Sequence, residues 1–326
     1  MTRATTALRA TAIAACLPYL ALKVTWITGS HLGIPENSTL LDHRSAMIVA
    51  NTATVLMDAC VIVLALLLTR PWGQRAKAWL LVIPVWVAGG LLTPIMTGFP
   101  VQLLVRALGG SVKTDDPAGK AFLDGWVFGV VYTGFIVQGL ALGALFVAYA
   151  RRRWGHLWQG RVWELPGSPT RPAQQTVAVA AAVFALLPLV VHVQWALGST
   201  AGLSEGRAQE RTSDFYVLEA LDVAFVALAV AGALMLAFRI GRPLPVKVPL
   251  AMAWVGSAVL ACWGGWLNIA SLTGVDDPAD RPTALMNLTY SGQMIVGMLV
   301  AAIGAYFFAE RTAGRTADRV AAKSRA

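Results

Sequence analysis

Eight long apolar runs, each closed off by charged or turn-forming residues, constrain this chain more than any other feature. Crossing ~30 Å of hydrocarbon at ~1.5 Å per residue takes about 20 residues. Lipid offers the backbone no water, so a run of that length must bond its own peptide groups and reads as a helix. The short alternating segments of a barrel do not occur. The expected spans are Ala10–Thr28, Ala46–Leu68, Trp79–Met96, Gly125–Ala148, Thr176–Leu197, Phe215–Phe238, Val248–Ala270 and Ala284–Phe308. The third is open to extension toward Leu108, kinked at Pro94 or Pro100. Only 13% of the residues are charged, against ~25% in soluble domains. The fold class is therefore all-α and integral to a membrane.

The net charge of +9 is a topology signal, not a nucleic-acid footprint. With the N-terminus assigned to the cytoplasm, 18 Lys and Arg fall on the inside and 7 outside, with Lys23 inside a helix. Acidic residues run the other way, 11 outside and 3 inside. This is the positive-inside bias. It predicts a bacterial inner-membrane protein with both termini cytoplasmic, the lipid bilayer as its partner, and no nucleic acid.

The chain also repeats itself. Lys23-Val-Thr-Trp26-Ile-Thr-Gly29-Ser30-His-Leu-Gly33-Ile-Pro-Glu36 matches His192-Val-Gln-Trp195-Ala-Leu-Gly198-Ser199-Thr-Ala-Gly202-Leu-Ser-Glu205 without a gap. Three further anchors follow in the same order. Trp86-Val87 matches Trp254-Val255, and Asp115-Asp116-Pro117-Ala118 matches Asp276-Asp277-Pro278-Ala279. Tyr132-Thr-Gly134, with Gly139 beyond it, matches Tyr290-Ser-Gly292, with Gly297 beyond it. Four spans per unit is an even number, so the expectation is two tandem four-helix repeats of the same orientation. Residues 1–150 form the first unit, 151–173 a basic, tryptophan-containing interfacial linker, 174–310 the second unit and 311–326 a basic cytoplasmic tail. The first span begins like a signal peptide, but its counterpart in mid-chain argues that it is retained. Glycines of the fourth and eighth spans are expected at close helix contacts, by symmetry along the seam between units.

The segment from His192 to Gly202 resembles the start of a group of uncharacterised actinobacterial integral membrane proteins. Those are built from four-helix units opening His-x-x-Trp-x-x-Gly-Gly-x-x-Gly. Ser199 stands here at the second glycine, and Lys23 replaces the histidine in the first copy. The resemblance implies membrane location and architecture and no activity.

Charges inside a span cost ~2.5–3.5 kcal/mol on the insertion scale, so each needs a reason. Lys23 and Asp58 lie in the first two spans and lean toward one another in depth, which suggests an ion pair or a water-bridged pair. That pair reads first as a static clasp, or as a protonated Asp58 bonded to a backbone carbonyl, and second as a transport or proton-relay element. In the second unit His192 stands in place of Lys23, and Glu219 and Asp222 share a face of the sixth span at its level. The three form either a proton-accepting cluster or a hydrated vestibule wall. His31, Glu36, Asp42 and His43 in an outer loop match no metal-site spacing and read as solvated. Cys16, Cys60 and Cys262 lie within apolar spans with no disulfide or zinc spacing. Trp26, Gly29, Gly33 and Glu36, with Trp195, Gly198, Gly202 and Glu205, read as an interfacial helix stop.

No nucleophile elbow, zinc-protease motif, phosphate loop or dinucleotide fingerprint occurs. No catalytic residue, cofactor or metal is expected from this sequence, and the reading leans away from an enzyme. Two functions lead. One is a carrier or channel for a small solute or ion, possible proton linkage included. The other is a non-catalytic membrane scaffold or accessory subunit that meets a membrane partner or a second copy. An enzyme acting at the outer face through His31 and His43 comes third.

Overall fold

The structure, a computed structural model, describes residues 3–36, 38, 41, 44–110, 123–165, 167–209, 211–272 and 278–324. Its helices are α1 (Arg3–Ile27), α2 (Arg44–Thr69), α3 (Trp79–Ala107), α4 (Gly125–Trp154), α5 (Arg171–Ala196), the short α6 (Glu205–Gln209), α7 (Ser213–Phe238), α8 (Lys247–Leu272) and α9 (Ala284–Ser324). All but α6 are long and apolar enough to cross a membrane. No strand occurs among the described residues, whose one β feature is an isolated Arg161–Pro245 bridge. The protein is an all-α, multi-pass membrane protein.

The helices outrun the apolar spans. α3 continues through Pro84, Pro94 and Pro100 to Ala107, well past Met96. Around Pro94, Thr93 Oγ1 donates to Gly89 O at 2.6 Å and Thr97 Oγ1 to Thr93 O at 2.9 Å. Such side-chain bonds let a membrane helix carry proline without ending. α9 runs on beyond Phe308 into its basic tail.

The chain divides into two compact units, Met1–Arg153 and Trp154–Ala326. In the first, α1 and α2 lie close along their length. α4 meets α1 at Gly134, where an added Cβ would stand 3.1 Å from Ala15 O. It meets α3 at Gly139, where a Cβ would stand 2.3 Å from Met96 Sδ. Aromatic pairs hold the rest apart, with Tyr19 on Phe135 at 4.8 Å and Phe99 on Tyr132 at 4.9 Å. At the far end Tyr149 donates to Gly73 O at 2.9 Å and Arg153 Nη2 to Ala76 O at 2.7 Å, pinning the turn between α2 and α3.

In the second unit α5, α7, α8 and α9 close a tight bundle. Glycine makes the approaches possible, because a Cβ on Gly232, Gly256, Gly264 or Gly297 would meet another helix's backbone within 2.4–2.5 Å. Close packing of small residues is what drives helix association in lipid, where burying apolar surface gains little. The basic stretch after α4 folds with this unit. Val162 N–H donates to Leu244 O at 3.0 Å, Val246 N–H to Gly160 O at 3.1 Å, and Trp158 stacks edge-on against Phe308.

The anchor glycines expected between units pack within them. Gly134 abuts α1 in one unit, and Gly292 abuts Pro188 of α5 in the other. Gly139 abuts α3 and Gly297 abuts α8. Gly129, Gly143 and Gly304 face open space.

Candidate functional site

The shared motif builds one local structure twice. Trp26 Nε1 donates to Leu32 O at 2.7 Å, and Trp195 Nε1 to Ala201 O at 3.0 Å. Gly29 and Gly198 have φ of +100° and +96°, and Gly33 and Gly202 have +73° and +77°, all in the left-handed region that favours glycine. Ser30 N–H returns to Thr25 O and Ser199 N–H to Gln194 O, the long bond that ends a helix with a glycine cap. A Cβ on Gly33 would strike Val127 near the start of α4, and one on Gly202 would strike Leu285 at the start of α9. Glu36 and Glu205 are exposed. The motif thus fixes the exit of the helix that carries Lys23 or His192.

His192 lies one turn before the end of α5 and is 3% exposed. Its Nδ1 is 2.5 Å from Glu219 Oε2 and 4.0 Å from Asp222 Oδ2, both on α7. On the other side Gln293 of α9 donates from Nε2 to His192 Nε2 at 2.9 Å and to Asp222 Oδ1 at 3.2 Å. With the Gln293 Nε2 turned to the ring, His192 donates from Nδ1 to Glu219 and accepts at Nε2. Arg207 of α6 reaches within 3.9 Å of Glu219 Oε1. The side chains of His192 and Glu219 are each 4% exposed, while Asp222 is 31% and Arg207 48% exposed. A buried dyad is thereby joined to two groups that reach the surface of the unit. Trp195 stacks edge-on to the imidazole and fixes its plane.

The ligand atoms of His192, Glu219 and Asp222 lie within 4.8 Å of one another and are able to hold a divalent cation. The 2.5 Å His192–Glu219 contact is a hydrogen bond, shorter than the roughly 3 Å that separates two ligands on one zinc ion. As it stands, the arrangement is a hydrogen-bonded histidine–carboxylate pair.

The first unit arranges its charges differently. Lys23 Nζ donates to Asn51 Oδ1 at 2.8 Å and rests on the rings of Tyr19 and Trp26, 4.9 and 4.7 Å from their centroids. Asp58, 4% exposed, accepts from Gln138 Nε2 of α4 at 3.3 Å. The two charges are therefore taken by separate amides. Asn51 Nδ2, Asp58 Oδ2 and Gln138 Oε1 are buried without a hydrogen-bond partner.

Sequence reasoning missed Asn51, Gln138, Arg207 and Gln293. The amides carry a usable signal: Gln138 and Gln293 each flank an anchor glycine inside an apolar span. His31 and Glu36 are exposed, while Asp42, His43, Asp115–Ala118, Asp276 and Asp277 lie outside the described residues. Cys16 is buried and donates to Ala12 O, Cys262 is half-buried and Cys60 exposed.

Fold and site together define a polytopic helical membrane protein with a buried histidine–carboxylate network. Compared with family models, curated proteins and solved structures, the chain finds no match in any of the three.

Proposed function

We propose that the protein is a proton-linked carrier for a small solute or ion in a bacterial cytoplasmic membrane, with the proton step at His192, Glu219 and Asp222. The observation that carries this reading is the single hydrogen-bonded path from Glu219 through the His192 ring and Gln293 to Asp222, spanning three membrane helices. An imidazole with a donor and an acceptor face gives the Nδ1 proton to Glu219 as it takes another at Nε2, without leaving its place, while the Gln293 amide relays no proton and links Nε2 to Asp222. When His192 takes a second proton at Nε2, the Gln293 amide must turn to present its oxygen, and its N–H then leaves Asp222. Protonation of the ring is thus tied to the state of the more exposed carboxylate.

On this reading the two units descend from one four-helix ancestor, a kinship shared with the membrane proteins that the motif resembles. The asymmetry of their polar sites then divides the work between them. The positive-inside bias supports cytoplasmic termini.

The test is proton flux into proteoliposomes under an imposed potential, read with an internal pH dye. Flux above that of empty vesicles, lost in Glu219→Gln, supports the carrier. Vesicles tight to protons across a panel of added solutes favour the accessory-subunit reading instead.

A further inference from the structure

We infer that the cavity around Lys23 binds a small organic monoanion, a carboxylate carried on an apolar body. The inference deepens the carrier reading by naming a substrate class, and it rests on that reading for its role only. The cavity, about 190 Å³, lies between α1 and α4 and is walled by Tyr19, Trp26, Phe128, Tyr132 and Phe135 around the Lys23 side chain. Lys23 sits about four residues, roughly 6 Å of rise, from the end of its helix.

Three observations point to an anion. First, the ammonium has three N–H donors, and its hydrogen bond goes to a neutral amide, Asn51 Oδ1. Among the described residues no carboxylate stands within ion-pair distance of it. Second, Asn51 is 4% exposed and its Nδ2 donor is buried without a partner beside that ammonium. Buried donors without partners are rare enough in native proteins to call for an explanation. Asn51 is not on the cavity wall, so an anion held at Lys23 Nζ supplies that partner by extending past the ammonium to Nδ2. Third, the Tyr19 and Trp26 rings hold the cation by their faces, which fixes its position before any ligand arrives.

Size and lining choose the rest of the ligand. At ~30 Å³ per water in the liquid, 190 Å³ equals about six waters, room for a small ring or short chain. Aromatic walls favour an apolar or aromatic body, and one cation favours one negative charge.

The test uses the full chain in a neutral detergent, with benzoate as probe and benzyl alcohol as its uncharged counterpart, followed by titration calorimetry. Wild type is expected to bind about one benzoate per chain saturably and to ignore benzyl alcohol. Lys23→Gln removes the charge, and Asn51→Asp places a carboxylate permanently beside Lys23. Each is expected to weaken benzoate roughly tenfold or more, the loss of one charge-assisted bond, with helical content unchanged by circular dichroism. Absence of saturable binding to folded wild type overturns the inference. So does benzoate binding that persists undiminished in both variants. Co-purified anionic phospholipid that is released by Lys23→Gln but not by benzoate also overturns it, and assigns the cation to lipid. Binding is read at equilibrium, so loss of flux with binding intact removes the carrier reading alone.

Discussion

His192 and Glu219 share a 2.5 Å hydrogen bond between α5 and α7, with both side chains 4% exposed. A polar pair so placed in a membrane helix bundle is costly to break from one side, because the survivor stays buried without its partner. His192→Ala is expected to destabilise the second unit by about 3–5 kcal/mol. A His192→Leu, Glu219→Leu double variant is expected to lose much less than the two single losses combined. Thermal unfolding in detergent, run as a double-mutant cycle, measures the difference.

Glu219→Gln keeps an acceptor for His192 Nδ1–H while removing a proton-accepting carboxylate. The variant is expected to fold with a melting temperature within a few degrees of wild type and to lose proton flux. A loss of flux accompanied by a large fall in melting temperature would assign Glu219 to structure alone.

Asp58 is 4% exposed, held through one oxygen by Gln138, and has a second oxygen without a partner. An asparagine keeps the first bond and exchanges a buried charge for a neutral donor near the unpaired Gln138 Oε1. Asp58→Asn is therefore expected to match or exceed wild type in thermal stability, since a buried charge without ion pairing costs several kcal/mol. A clear fall would show that Asp58 depends on Lys23.

Gly33 and Gly202 should respond alike to substitution. Each has a left-handed φ, and an added Cβ would stand 2.4 Å from Val127 Cγ2 or 2.2 Å from Leu285 Cδ2. Alanine at either position is expected to destabilise its unit by about 1–3 kcal/mol. Gly143→Ala, where a Cβ meets nothing within 4 Å, is expected to be neutral or mildly stabilising. Chemical denaturation followed by tryptophan fluorescence ranks the three.

Trp26→Phe and Trp195→Phe remove the indole N–H that holds the carbonyl of Leu32 or Ala201, along with the smaller ring that carries it. Each is expected to cost about 1 kcal/mol and to loosen the turn after α1 or α5, raising amide hydrogen exchange locally. Equal effects at the two sites would support a common origin for the motif.

What the sequence determined by itself was the membrane architecture and the local motif. Span length against bilayer thickness, and the need of a backbone in lipid to bond itself, act residue by residue along the chain, so eight helices are readable without contacts. The Trp-x-x-Gly-Ser-x-x-Gly stop is likewise short-range: its bonds run from Trp26 to Leu32 and from Ser30 to Thr25. It also placed His192, Glu219 and Asp222 at one level, because helical rise is fixed. Only the tertiary structure decided their partners. Gln293 lies 101 residues from His192, and Gln138 lies 80 from Asp58. Which face of α9 or α4 turns inward depends on glycine contacts such as Gly264 with α9 and Gly139 with α3. The expected pairing of Lys23 with Asp58 was argued from depth alone. Depth does not fix rotation about a helix axis, and it is rotation that sets the direct hydrogen bonds, from Lys23 to Asn51 and from Gln138 to Asp58. The cavity beside Lys23 is a property of packing for the same reason: it exists where aromatic rings stand between α1 and α4.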